Sequence, residues 1–548
     1  MKKLLLFISV AGLVTVAFAQ NTLNLVDNIF KANCTLGCHN SVDMAGLMDL
    51  SGTPGQVSAN LVNVAPTNPF SNNLGDKRVD PGYPHRSFLF KKLNQGLDPH
   101  LMLDPQEGLS MPQGAASLPP EQIELMRQWI LKGAPQTGSV VDTAIINKFY
   151  NEGGVIAAPA NHPLPIDPGS FQVHVGRIFL PPTTEYEYFL KHDLRLPDTV
   201  EVNRIEMFMS TFSHHFIIYK LSGSAATLFP NGLRLLNPVN GSGSSTSMST
   251  LVGGWQFSAD MELPAGTAFR FEYGSVLDLN YHLRNYNIDS VMATDIYFNV
   301  YTQPKGTATD IMHSELLVNL NIPIPPNNQN TVFTKHDYVP NFPNWWNVWL
   351  LASHTHKLGI DYDIYLRNSD GTFGQQVYEG FYDPSYSFNQ GYYEWQHPPV
   401  RKFDPLLPVN PQHGLIQQAT FRNPGPNWVS FGLTTEDEMM LYFIQYTIGG
   451  PLVSVQSEIA RQIKASVAPN PYKGSTNISY ELNVNTDVKI EVFDILGNRV
   501  KTLAEGKQAA GAYNYRFSAA EEGKAAGIYM LKFSVGGESF VLKMVEIE

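Results

Sequence analysis

Trp345-Trp346-Asn347-Val348-Trp349-Leu350-Leu351-Ala352-Ser353-His354-Thr355-His356-Lys357-Leu358-Gly359 is an apolar, aromatic run that ends in two histidines one residue apart. In a β-strand the side chains at i and i+2 point to the same face, so His354 and His356 can converge on one metal ion. A lone His-x-His pair is more often a core or surface feature than a site. This one is set apart by its company: His214-His215 upstream, His282 between, and Met439 downstream.

The rest of the composition agrees with a β-rich, turn-rich globular chain. Of 548 residues, 43% are hydrophobic and only 16% charged, with 43 glycines and 38 prolines. The length suits three or four domains of ordinary size. A net charge of −12, with no Lys/Arg cluster, argues against nucleic acid as a partner. Met1 to Ala19 reads as a secretory signal: Lys2 and Lys3, an apolar run from Leu4 to Phe18, and Ala17-Phe18-Ala19 before Gln20. No other segment approaches the length of a membrane-spanning helix, so a soluble mature protein is expected. Its setting is exported and oxidising, yet Cys34 and Cys38 are the only cysteines, too few for disulfides to build the fold.

Those two cysteines stand in Cys34-Thr35-Leu36-Gly37-Cys38-His39. Two thioether cysteines followed by a proximal histidine mark c-type haem attachment, here with a spacer one residue longer than the usual C-x-x-C-H. A small disulfide loop and a partial metal site remain the other readings. Downstream come a short helix near Ser87 to Leu93 and a methionine in Leu109-Ser110-Met111-Pro112. Leu118-Pro119-Pro120-Glu121 then opens an amphipathic helix with Ile123, Met126 and Ile130 on one face and Leu125 and Trp129 beside it, closed by Gly133. Residues 31–134 resemble bacterial cytochrome c domains. By that resemblance Cys34, Cys38 and His39 hold one covalent haem c and Met111 is its distal ligand, with Met102 the second choice.

Residues 136–165 are rich in Pro, Gly, Ala and Asn and read as a connector, with a short helix near Asp142 to Tyr150. A flexible stretch of that length would span about 30 Å root-mean-square. From 166 to 452 the pattern is many short β runs between Pro/Gly/Asn turns, which fits two successive antiparallel sandwiches. Adjacent strand residues face opposite ways, so His214 and His215 can share a metal only at a bulge or strand end.

Ser213-His214-His215, Leu279-Asn280-Tyr281-His282, His354-Thr355-His356-Lys357-Leu358-Gly359 and Asp437-Glu438-Met439 follow one another in this region. Around them lie Arg177-Ile178-Phe179-Leu180-Pro181, Glu394-Trp395-Gln396-His397-Pro398 and Gly414 to Phe421. Together they resemble the copper type II, ascorbate-dependent monooxygenases, the family of peptidylglycine α-hydroxylating monooxygenase and dopamine β-monooxygenase. The resemblance implies jelly-roll-like copper domains. In it His214, His215 and His282 bind an electron-transfer copper, and His354, His356 and Met439 bind the copper that meets dioxygen. Imidazole suits both copper states and a thioether favours Cu(I). His397 and His413 read as structural or supporting. In the peptide-amidating members an arginine two residues before His-x-His and a tyrosine four after the methionine hold the substrate carboxylate. Here Ala352 and Phe443 stand there, with Tyr442 adjacent, so a peptidylglycine substrate is not expected.

Val467-Ala468-Pro469-Asn470-Pro471-Tyr472, then Val488, Ile490 and Val492 on one strand face, the turn Asp494-Ile495-Leu496-Gly497-Asn498, and Gly527-Ile528-Tyr529 resemble the C-terminal sorting domain of Bacteroidota type IX secretion. That resemblance implies a small immunoglobulin-like sandwich, engagement of the secretion machinery, and passage through the periplasm and across the outer membrane to the surface or the medium.

The expected organisation is multidomain and mainly β: signal 1–19, a small α-helical cytochrome c-like domain 20–135, connector 136–165, first copper sandwich 166–305, second 306–452, linker 453–466 and sorting sandwich 467–548. The expected activity is hydroxylation of a C–H bond in a small-molecule or peptide substrate by dioxygen. Two coppers would act, with electrons from an external donor passing through the haem or from ascorbate. The competing reading is a non-catalytic surface protein for electron transfer or copper binding. A weaker third makes the sandwiches a carbohydrate- or surface-binding module with a redox appendage, for which Trp345, Trp346 and Trp349 leave room.

Overall fold

The structure is a computed structural model that describes residues 20–158, 162–210, 212–223, 225–236, 249–255, 258–380, 398–432, 434–450, 463–494, 498–535 and 538–547. The signal 1–19, Glu394 to His397, most of the linker 453–466 and the turn residues Ile495 to Gly497 lie outside the described residues. The chain divides into two compact units, residues 1–315 and 316–548. Among the described residues no helix is long and apolar enough to cross a membrane.

The first unit opens with a helical body. Its core joins Val26 and Phe30 of the helix Thr22–Asn33, Val57 and Leu61 of Pro54–Leu61, Phe90 of Phe88–Leu93, and Met126, Trp129 and Ile130 of Pro120–Leu131. The last of these starts on prolines, whose fixed φ suits a first turn, and stops at Gly133, whose φ of 90° ends the right-handed run. Its apolar stripe is the expected one, but Glu124, Arg127 and Gln128 on the other face are buried too. They are not orphaned. Arg127 is ion-paired to Glu124, Tyr150 donates to Glu124 at 3.0 Å, and Gln128 donates to the Arg177 carbonyl of the following sandwich at 2.5 Å.

The connector is not free along its length. Residues Thr143–Glu152 form a helix whose Ile146 joins the helical core, while Phe149, one turn on, packs on Phe179, Val291 and Ala293 of the sandwich. The strand Val155–Ala157 then pairs in parallel with Met292 to Thr294. Apolar residues three apart give this helix a stripe to bury, which composition alone does not reveal.

The first sandwich has two antiparallel layers. In one, Met292–Pro304 lies between Phe171–Leu180 and Val200–Phe208. In the other, the order is Gly232–Leu235, Glu185–Asp193, Val276–Arg284, Ser213–Leu221, Ser249–Trp255. Phe216 meets Phe298 across the layers at 5.8 Å, and Tyr281 bonds Thr294 at 3.0 Å.

In the second unit, Trp345–His354 lies between Val400–Val409 and Leu441–Gly449. The companion sheet runs Asn330–Asp337, Leu415–Arg422, Gly359–Arg367, Phe373–Glu379. Trp346, Val348, Leu351, Tyr362, Phe421 and Tyr442 fill the space between. Farther along, a three-stranded and a four-stranded antiparallel sheet close over Ile478, Tyr480, Val488, Ile490, Val492, Leu531 and Phe533. The alternation expected of Val488, Ile490 and Val492 is what buries them.

Candidate metal centres and an apolar cleft

His214, His215 and His282 come together. One ring nitrogen of each lies within 4.8 Å of the others, and His282 Nδ1 is 3.2 Å from His215 Nε2. The strand register explains how neighbours 214 and 215 share one focus. His282 pairs with His215, but Leu283 pairs with Ser213, so His214 is the extra residue of a β-bulge. A bulge re-aims a side chain that the pleat would send to the other face. On its far side His282 Nε2 lies 2.8 Å from a Glu185 carboxylate oxygen. A hydrogen bond there places the proton on Nε2 and leaves Nδ1 as the lone-pair nitrogen facing the cluster.

His354 and His356 close the strand Trp345–His354 and the turn after it, both buried, with ring centroids 5.2 Å apart. The loop carrying Met439 is bonded to this turn. His356 Nδ1 lies 3.0 Å from the Asp437 carbonyl, which leaves Nε2 as the available ligand atom. The fully buried Glu438 carboxylate accepts from the backbone N–H groups of Leu358 at 2.6 Å, His356 at 2.9 Å and Met439 at 3.2 Å. Burial pushes the Glu438 carboxyl up to about 7, against the pull of those three donors. Lys357 is ion-paired to Glu436 on the same loop. Glu438, within the Asp437-Glu438-Met439 segment, ties the His356 turn and the Met439 loop into one.

Ala352 and Phe443 are direct cross-strand partners, both half-buried, so the two positions form one patch. Tyr442 is fully buried in the core and does not stand in for the missing phenol. His413 sits in the turn after Val400–Val409, where its carbonyl accepts from Arg367 at 3.2 Å.

In the helical body Cys34, His39 and Met111 line one cavity of about 360 Å³ with Met48, Leu50, Leu61, Phe88 and Leu93. His39 Nδ1 is 2.8 Å from the Ala45 carbonyl, so its Nε2 is the nitrogen left for a ligand. Cys38 is exposed and outside the wall, the two cysteines form no disulfide, and burial pushes the Cys34 thiol up to about 11. Met102 is 82% exposed and does not line the cavity. An apolar slot with a cysteine, an oriented histidine and a methionine on its walls suits a c-type haem.

One gathering escaped the sequence reading. His85, His100, His162, His174 and His192, five of the chain's 15 histidines, line a second cavity of about 870 Å³ in the same unit. Their wide spacing in sequence offers no motif; only the number of histidines outside the recognised motifs could have signalled them.

Comparison with known proteins is informative for one domain. Residues 466–548 match the secretion system C-terminal sorting domain. The chain is therefore a type IX secretion client, exported across the outer membrane to the cell surface or beyond, and it engages that machinery. No curated protein matches the chain. Similar solved structures include the major capsid protein P2 of bacteriophage PM2, at 8% identity over 51% of this chain and 97% of that one, TM-score 0.25. A β-glucuronidase of Faecalibacterium prausnitzii matches at 11% identity over 40% of this chain and 37% of its own, TM-score 0.13. At such TM-scores neither carries an argument about this protein.

Proposed function

We propose that this secreted protein is a copper-dependent monooxygenase that hydroxylates a C–H bond. The observation that carries the reading is the Glu438 carboxylate holding the His356 turn and the Met439 loop together, in a chain whose first sandwich also gathers three histidines at a bulge. Copper bound at the two sets would supply dioxygen reduction and electron delivery, with a haem c or ascorbate as the electron source. The protein's own part is preparation. Asp437 and Glu185 fix the protons of His356 and His282 on the nitrogens that face away from the ligand sets. Ala352 and Phe443 offer a substrate neither a guanidinium nor a phenol, so the patch they form favours an apolar group over a carboxylate. In the haem cleft, the Ala45 carbonyl would orient His39, and Met48, Leu50, Leu61 and Leu93 would give the ring apolar contacts.

The test is the Met439→Ile variant of the mature protein, loaded with copper and supplied with ascorbate. Oxygen consumption should fall to background while the haem still reduces. Undiminished consumption would show that Met439 does not hold the reactive copper, and an unloaded wild type that consumes oxygen equally would remove copper from the scheme.

A further inference from the structure

The second histidine cavity contains a set of donors that hydrogen bonding alone serves poorly. His85 Nε2 lies 2.8 Å from His174 Nδ1 and 2.9 Å from Asp98 Oδ2, and His174 Nδ1 lies 4.0 Å from the same oxygen. A ring nitrogen has one in-plane direction, holding either a proton or a lone pair, so His85 Nε2 can satisfy only one of its two neighbours by a hydrogen bond. A cation among the three satisfies all of them. The separations bracket the edge of about 3.4 Å expected of a tetrahedron with bonds of about 2.1 Å.

The surroundings are built to hold such ligands still. His174 Nε2 lies 2.9 Å from Asp295 Oδ1, and Arg177 donates to Asp295 Oδ2 at 3.1 Å. That carboxylate–histidine pairing puts the proton on Nε2 and turns the Nδ1 lone pair toward His85. Asp98, 2% exposed, accepts from the His100 backbone N–H at 3.1 Å through its other oxygen, and Asn94 ties down its backbone at 2.7 and 2.8 Å. Gly176 makes room, since a Cβ there would lie 2.5 Å from Asp295 Oδ1. Glu124, Asp98 and Asp295 stand here against Arg127 and Arg177, with Arg86 on the wall of the adjoining cavity. The remaining side faces the cavity of about 870 Å³. There His162 and His174 both stack on the Tyr297 ring, at 3.8 and 4.2 Å, and His162 Nε2 lies 2.6 Å from His100 Nε2.

We infer that His85, Asp98 and His174 form a further metal centre, for a transition-metal dication that favours imidazole, with its open position toward the histidine-lined cavity. Two imidazoles and one carboxylate disfavour calcium and magnesium and suit zinc or copper(II). Three protein ligands and an open position form the arrangement of a site that exchanges or activates a ligand rather than one that only braces a fold. The inference does not depend on the monooxygenase reading, because it uses none of the same residues.

The experiment compares the mature wild-type chain with the His85→Gln/His174→Gln variant. Each is equilibrated with Zn²⁺ or Cu²⁺ in separate arms, freed of excess by gel filtration, and assayed for metal per chain. The variant should bind one equivalent fewer in at least one arm, with an unchanged far-ultraviolet circular dichroism spectrum; the arm that shows the loss names the metal. Equal stoichiometry in both arms overturns the inference. Should the variant misfold, Co²⁺ is added instead to the His214→Ala/His215→Ala chain, which keeps this cluster intact. Visible cobalt bands that are lost when Asp98→Asn is added support the site; bands indifferent to Asp98, or no bands, overturn it.

Discussion

Glu438→Gln tests the joint between the His356 turn and the Met439 loop, on which the proposed second ligand set depends. In the native chain one carboxylate oxygen takes the Leu358 N–H, and the other takes those of His356 and Met439. An amide has a single acceptor oxygen. Facing it toward His356 and Met439 keeps two bonds and turns its NH2 against the Leu358 N–H, donor against donor. A buried donor left without an acceptor costs about 1–3 kcal/mol. Local opening of the turn should become easier by that amount, which corresponds to about 5- to 150-fold faster amide exchange. Hydrogen–deuterium exchange, read by mass spectrometry on peptides covering residues 353–361, is the assay, run above pH 8 so that the wild-type Glu438 carboxyl is ionised, and with chelator present so that no bound metal masks the change. The strand Gly359–Arg367 beyond Gly359 should keep its wild-type protection, because its ladder to Leu415–Arg422 is untouched. Glu438→Ala removes all three acceptors and should exchange faster still. If Leu358 exchanges in Glu438→Gln at the wild-type rate, the carboxylate does not hold the turn and the reasoning fails.

Other expectations are briefer. Glu185→Gln should weaken metal retention at His214, His215 and His282 about 10- to 100-fold, measured by competition with a chelating dye, because the partner that orients His282 is lost. Cys34→Ala/Cys38→Ala should abolish haem that survives acid–acetone extraction, while Met102→Ala leaves its spectrum intact, since Met102 lies outside the cleft. Burial, then Asp361 and Glu379, push the half-buried Asp363 up to about 6, so the fold binds this proton more tightly than the unfolded chain does. The stability it lends is present at low pH and lost as pH rises from the ordinary carboxyl range through about 6. Screened by solvent, that is about 1 kcal/mol, and Asp363→Asn should flatten the urea midpoint, followed by tryptophan fluorescence, across pH 4.5–7. Deleting residues 466–548 should leave the protein in the periplasm, as fractionation and immunoblotting would show.

The alternating runs made the sandwiches legible, and the His-Thr-His and Asp-Glu-Met segments marked two stretches that the fold joins through hydrogen bonds. His214 shows where such reading stops. Strand periodicity puts it on the wrong face, and only a register shift against Leu283, a property of the partner strand, turns it back. The polar face of Pro120–Leu131 was equally silent, because Glu124 and Arg127 look like solvated charges until the first sandwich covers them. His85, Asp98 and His174 lie 13 to 89 residues apart and meet only through tertiary packing.

The pinned connector has a kinetic consequence. With Phe149 packed on the sandwich and Val155–Ala157 in its sheet, a haem in the helical body would be a fixed electrode rather than a swinging carrier. Electron hand-over to a metal in the same unit would then follow a set tunnelling distance. Its rate would be indifferent to glycerol and to salt, whereas a tethered shuttle would slow in proportion to the viscosity of the medium.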